Sequence, residues 1–299
     1  MLAVAAALPG IPGFAQVRGV YPLGMSATTS GVMAQPGISY INAFLFYSRD
    51  ELVGPGGEVV ATGENSVLMD MNTLVWVSTQ RLKPLGDARV SVAATLPIAN
   101  NSLSSDAQGA MSGGGGFADS YYQVLILGWQ MQRADIKAIY GFLAPTGRFQ
   151  AGASDNVGSG YWTHTLSAGE TFWVTNGRAT AISGFEIYEL HTTQEGTGIH
   201  PGQTLSVDYS VTHTVPAGRD LSLQLGLIGY SQWQTTAKSG PTITPAQAAE
   251  RYRVSALGLG ISVLSPARSV SVGARYYSEF AATSTLRGYS VQIVAAIGF

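Results

Sequence analysis

The 299-residue chain is 45% hydrophobic but only 11% charged, has a formal net charge of −2 and contains no cysteine. Near-neutrality without a basic stripe excludes a nucleic-acid binder, and the body of the chain has no run of about 18 apolar residues that could form a membrane-spanning helix. The charged share is less than half that of an ordinary soluble domain, while a cysteine-free chain suits an oxidising compartment.

In chain order, "MLAVAAALPGIPGFAQ" opens as the apolar core of a secretory signal over residues 1–15, with Gly13 and Ala15 as the small pair before a cleavage site. A short buried helix is the alternative. Residues 16–36 contain two prolines and no strand pattern, and are expected to form a periplasmic tail or a plug in a lumen. From residue 37 the period changes to two. Apolar residues alternate with small or polar ones at Ile38 to Tyr47, Val67 to Ser78, Ala88 to Leu96, Asp119 to Trp129, Asp135 to Ala144, Tyr161 to Val174, Ala179 to Leu190, Thr204 to His213, Leu221 to Trp233, Tyr252 to Leu264, Ser269 to Phe280 and Gly288 to Phe299. Strict alternation is the mark of a strand with two unlike faces. Most of these twelve segments are ~9 to 14 residues long, which suits a tilted strand crossing a bilayer. Only "TPAQAAERYRV" could make a turn or two of helix.

The connections identify the solvent. Links such as "SRDELVGPGGEVVATGEN" and "PIANNSLSSDAQGAMSGGGGFA" alternate strictly with links such as "QMQRA", "TNGR" and "SPAR". Long loops on one rim and short turns on the other predict an all-β, up-and-down antiparallel transmembrane barrel of 12 strands over residues 37–299, with short periplasmic turns and long extracellular loops. Closure follows because hydrocarbon cannot hydrogen-bond an open sheet edge. The lipid-facing sets are expected to be Val67, Met69, Met71, Val75 and Val77; Val90, Val92, Ala94 and Leu96; Leu221, Leu223, Leu225 and Leu227; and Leu257, Leu259, Ile261 and Val263. Tyr47, Trp129, Trp162, Trp173, Tyr276 and Tyr289 fall near strand ends, where interfacial aromatics belong.

The opposite parity predicts a lumen charge network of Asp70, Arg89, Asp119, Lys137, Glu186, Asp208, Arg275 and Glu279, readable also as a neutralised structural filling of a narrow bore. For an apolar ligand the candidate lumen residues are Tyr40, Asn42, Phe44 and Phe46, joined by Tyr121, Tyr188, Tyr230 and Tyr277. Both faces of the first strand are apolar, so Phe44 and Phe46 facing lipid with Ile41, Ala43 and Leu45 inside is the alternative. No enzyme is expected. His164 has one parity while Thr163, Thr165 and Ser167 have the other, so no nucleophile and base meet locally. His191 and His200 share a loop without metal-ligand spacing, and neither a metal nor a cofactor is expected.

The stretches "PGISYINAFLFYSRDEL", "GGGGFADSYYQVLILGWQ", "GFLAPTGRF", "NVGSGYWTHTLSAGETF" and "GQTLSVDYSVTH" resemble, in order, the successive blocks of the meta-pathway phenol-degradation family of outer-membrane proteins. The most specific pieces are Asp119, the Gly128-Trp129 strand end, Ala144-Pro145-Thr146-Gly147, and Asn156, Gly158, Gly160, Tyr161 and Trp162. Phe299 is similar to the terminal aromatic that the barrel-assembly machinery recognises. The resemblance implies a bacterial outer-membrane channel, grouped with fatty-acid and aromatic-hydrocarbon channels, that passes small hydrophobic or aromatic compounds through its lumen or a lateral opening. Its partners would be outer-membrane lipid and lipopolysaccharide, and it would act as a monomer. A structural or adhesive barrel with a closed lumen and ligand-binding loops is the alternative.

Overall fold

Alternating side chains make each strand two-faced, and the barrel is the arrangement that gives each face its own solvent. The computed structural model describes residues 18–105, 109–153 and 155–299, with side chains described except at 64 and 101–112. The expected signal segment, 1–15, lies outside the described residues. The strands are β1 (Gly37–Val53), β2 (Val59–Leu82), β3 (Ala88–Ser105), β4 (Gly109–Phe117), β5 (Ser120–Gln130), β6 (Ala134–Ala144), β7 (Thr163–Trp173), β8 (Thr180–His191), β9 (Thr204–Pro216), β10 (Ser222–Gln234), β11 (Arg253–Ser265), β12 (Val270–Thr283) and β13 (Thr285–Gly298). The far half of β3 pairs with β4 and its near half with β5, so these two segments share one stave of a closed 12-strand antiparallel barrel.

β1 closes the cylinder against β13, with Ser39 opposite Gly298 and Phe44 opposite Ile293. The Phe299 amide donates to the Ile38 carbonyl at 2.8 Å. Gly37, at φ +123°, permits this seam: a Cβ there would sit 2.7 Å from the Phe299 carbonyl oxygen.

The first extracellular links are longer ladders than alternation indicates. β1 continues to Val53 and β2 starts at Val59, and the Gly-rich Gly109–Phe117 segment is itself a strand. Above the bilayer, backbone pairing continues while nothing demands two unlike faces, so the sequence loses its period there. The helical expectation narrows to one turn, Pro245–Ala249, started by a capping box between Thr244 and Gln247.

The outward parity is regular from β9 to β13. Leu223, Leu225 and Leu227 of β10 lie opposite Val263, Ile261 and Leu259 of β11, and all six face lipid. β3 likewise turns Val92 and Leu96 outward. On β2 the expected faces are exchanged. Val67, Met71 and Val77 are buried inside, with Met69 and Val75 on the same parity, while Leu68, Leu74 and Trp76 face out. Asp70 and Asn72 therefore lie on the outer wall and not in the lumen. β1 follows its partner: Ala43, Leu45 and Tyr47 are inside, and Tyr40, Asn42, Phe44 and Phe46 are outside. The outward polar groups satisfy one another, Tyr40 donating to Asn72 and Asn42 to Asp70. Two further assignments reverse on β8, where Phe185, Ile187 and Glu189 point inward and Glu186 and Tyr188 outward. Tyr47 is a lumen residue, and Trp173 turns in to donate its indole N–H to Asp135 at 2.8 Å.

Glu186 shares the outer wall with Glu170, a diagonal neighbour on β7. A carboxyl group facing hydrocarbon is a net cost. Glu186→Leu is therefore expected to raise barrel stability by about 1–2 kcal/mol, below the Arg or Lys range at the same depth. An unchanged or lowered urea midpoint would contradict the outward assignment.

Candidate functional site

A chain threaded through a barrel must find partners for its backbone groups, because an unmet buried N–H or C=O costs about 1–3 kcal/mol. The segment from Arg18 to Pro36 does so along one side of the lumen. At the extracellular end the Arg18 guanidinium holds Glu279 of β12 through two bonds of 2.6 and 2.9 Å, donates to Thr285 at 3.1 Å and also reaches the Leu286 carbonyl. Both members of this pair are buried. Tyr21 donates its amide to Glu189 at 2.7 Å and its hydroxyl to Asp208 at 2.6 Å. Asp208 also accepts the amides of Gly24 and Ser26, at 2.9 and 3.0 Å.

From the wall, Arg275 donates to the carbonyls of Gly24 and Met25, Tyr277 to Gly24, Gln292 to Leu23 and Ser210 to Ala27. Gly24 (φ +82°) is the one residue type that fits, since a Cβ would lie 2.6 Å from the Tyr277 ring. Near the periplasmic rim the Gly31 amide donates to Thr171 at 3.0 Å, and Met33 covers Gly128.

These fastenings gather on β7–β13. The opposite wall, β1–β3 and β5, carries apolar side chains instead, and between it and the segment runs a cavity of about 540 Å³. Val67, Met69 and Met71 of β2 and Pro97 and Ala99 of β3 form its apolar track, crossed by Thr73 and Thr95, whose hydroxyls bond at 2.8 Å. A volume of this size lies in the ordinary range for a small-molecule site.

The extracellular mouth is organised by Asp119. Its carboxylate accepts the Gly147 amide at 3.0 Å and the amide and hydroxyl of Ser159 at 2.7 and 2.5 Å, tying both ends of the β6–β7 loop to the stave between β4 and β5. Burial raises its pKa, and the bonds from Ser159 and Gly147 pull it back down. Gly147 and Gly158 are in backbone contact there; a Cβ on Gly147 would lie 2.7 Å from the Gly158 Cα. Tyr161 lines the same mouth with its hydroxyl buried and unpartnered among the described residues, while its ring meets His191 edge-on.

The candidate residues thus separate into groups. Tyr121 lines the cavity and bonds Thr165 at 3.0 Å, whereas Tyr230 and Tyr277 pack with tilted rings, centroids 5.1 Å apart, beneath the segment. Tyr40, Asn42, Phe44, Phe46 and Tyr188 are on the outer wall. Of the charged set, Asp208, Arg275 and Glu279 hold the segment, Arg89 and Lys137 face the lumen elsewhere, Asp119 sits in the loops, and Asp70 and Glu186 face outward. Arg18, Tyr21, Arg49 and Glu189 were not among the expected site residues. Glu189 shares parity with Phe185 and Ile187, which disguises its wall as lipid-facing; Arg18 has no local signal at all.

The profile of a family described as "Putative MetA-pathway of phenol degradation" matches residues 49–294. Among solved structures, the chain superposes on an outer-membrane channel from Pseudomonas putida F1 with a TM-score of 0.72 at 14% identity, covering 90% of this chain and 97% of that one. The β-domain of the Bordetella autotransporter BrkA gives 0.54 at 10% identity, with coverages of 89% and 100%. No curated protein matches. At such identities the shared feature is the barrel.

Proposed function

Because the chain belongs to the phenol-degradation family of that description, and is a bacterial outer-membrane barrel, we propose that it is a channel for small hydrophobic or aromatic compounds, which diffuse along the apolar track. The observation that carries this reading is the asymmetry of the lumen. One wall is polar and committed to the Arg18–Pro36 segment, while the other presents Val67, Met69, Met71, Pro97 and Ala99 to a cavity. A compound without hydrogen-bonding capacity gains nothing from the first wall and loses nothing against the second. The segment acts as the stopper that sets the resting bore. In this reading the barrel works as a monomer, inserted by the assembly machinery through the strand that carries Phe299, and performs no catalysis.

Uptake of labelled aromatic hydrocarbons by cells lacking and carrying the protein tests the proposal. Ala99→Trp, which fills the track from the buried face of β3, is expected to reduce that uptake severalfold without changing the barrel's heat-modifiable mobility on gels. Full uptake through a filled track would overturn the assigned path.

A further inference from the structure

The charges facing the cavity are unbalanced: Arg18, Arg49, Lys137 and Arg275 line it against the single carboxylate Asp119. Most are occupied. Arg18 is paired with Glu279, Arg275 with the carbonyls of the threaded segment, and Asp119 with Gly147 and Ser159, while Arg49 lies over the Tyr47 ring at 4.9 Å. Lys137 is different. It points inward from β6 and makes no hydrogen bond or ion pair with any described residue.

Its register supplies a second unsatisfied cation. Gly128 of β5 lies opposite Lys137 on one side and opposite Arg89 of β3 on the other, so the two inward cations straddle a residue with no side chain. Two strand spacings put their backbones about 10 Å apart, within reach of one small anion between their tips. The Arg89 Nε is buried and has no partner among the described residues. Met33, at the end of the threaded segment, is the side chain that lies over Gly128, and an unbranched thioether is easily moved. The nearest carboxylate on the strand, Asp135, is held by Trp173 and Arg178. Lys137 lines the cavity, with Arg89 beside it at the start of β3, and an unpaired buried cation is costly to retain for structure alone.

Resting on the channel reading above, we infer that Arg89 and Lys137 form an anion-receiving station near the periplasmic end of the cavity, and that the transported class includes aromatic rings bearing one ionised oxygen group, as in a benzoate. The ring travels on the apolar track; the carboxylate is handed to the pair.

The test compares benzoate with benzyl alcohol, similar in size and different in charge, in proteoliposomes of the full chain. Wild-type protein is expected to favour benzoate. Lys137→Gln and Arg89→Gln are each expected to cut benzoate flux about tenfold, the loss of one charge-assisted contact, with benzyl alcohol unaffected. Lys137→Arg, which keeps the charge, is expected to retain the preference and controls for misfolding. An identical benzoate to benzyl alcohol ratio in the wild type and the double variant would overturn the inference while leaving the channel standing. Failure of both solutes to pass would defeat the channel reading and this inference with it.

Discussion

Asp208→Ala is expected to free the threaded segment and open the barrel to ions. The carboxylate is fully buried and accepts three bonds from the segment, from the Tyr21 hydroxyl and from the amides of Gly24 and Ser26. Alanine leaves the Tyr21 hydroxyl and the Gly24 amide unmet, while the Ser26 amide keeps its second acceptor, the Tyr21 hydroxyl oxygen at 3.0 Å; bonds to a charged group are worth about 1.5–3 kcal/mol each. Part of that loss is recovered as the segment withdraws into water, so a net weakening of docking by about 3–5 kcal/mol is expected, the range for breaking one side of a buried charged contact. Single-channel conductance in planar bilayers should rise toward that of a chain lacking Val17 to Met33, and the released segment should become cleavable by protease in folded protein. Conductance and protection both equal to wild type would show that the segment is not the stopper. Arg18 and Glu279 offer the same test from the other end of the segment.

The second large effect concerns the outer wall. Leu227 stands near the middle of β10, 66% exposed to what surrounds the barrel, between Val211 of β9 and Leu259 of β11. Leu227→Arg should cost about 2–4 kcal/mol if that surrounding is hydrocarbon near the bilayer midplane. Gln224→Arg, three residues away on the inward parity, enters the polar lumen and should cost far less. Urea titration of folding into lipid vesicles separates them, and equal costs would contradict a closed cylinder with its apolar face outward. The same pair in detergent micelles should show a smaller gap, because a micelle deforms around a charge more readily than a bilayer does.

The legible part of the fold was the part where the two solvents differ most. On β9 to β13 one face is mostly Leu, Ile and Val and the other is Gln, Ser, Asp, Arg and Gly, so parity alone oriented Gln224, Asp208, Arg275 and Glu279 inward. On β1 and β2 both faces hold apolar residues and both hold polar ones. Asp70 and Asn72 suggested an inward face because a carboxylate belongs in water, yet they bond Asn42 and Tyr40 on the outer wall while Met69 and Met71 line the cavity. β8 misled in the same way, since Glu186 and Glu189 lie on opposite faces and only the lumen partner of Glu189 distinguishes them.

By itself, then, the sequence determined the twelve staves of the barrel, their hairpin connectivity, the two unlike rims and the closed cylinder. Each follows from a local period of two enforced by lipid on one side of the wall. Only the tertiary structure decided which lumen wall is apolar, where the cavity runs and what holds the threaded segment. Arg18 meets Glu279 across 261 residues of chain, and Tyr21 meets Asp208 across 187. The polarity that suits an inward face depends on what occupies the bore beside it, and that occupant arrives from a distant part of the sequence with no periodicity to announce it.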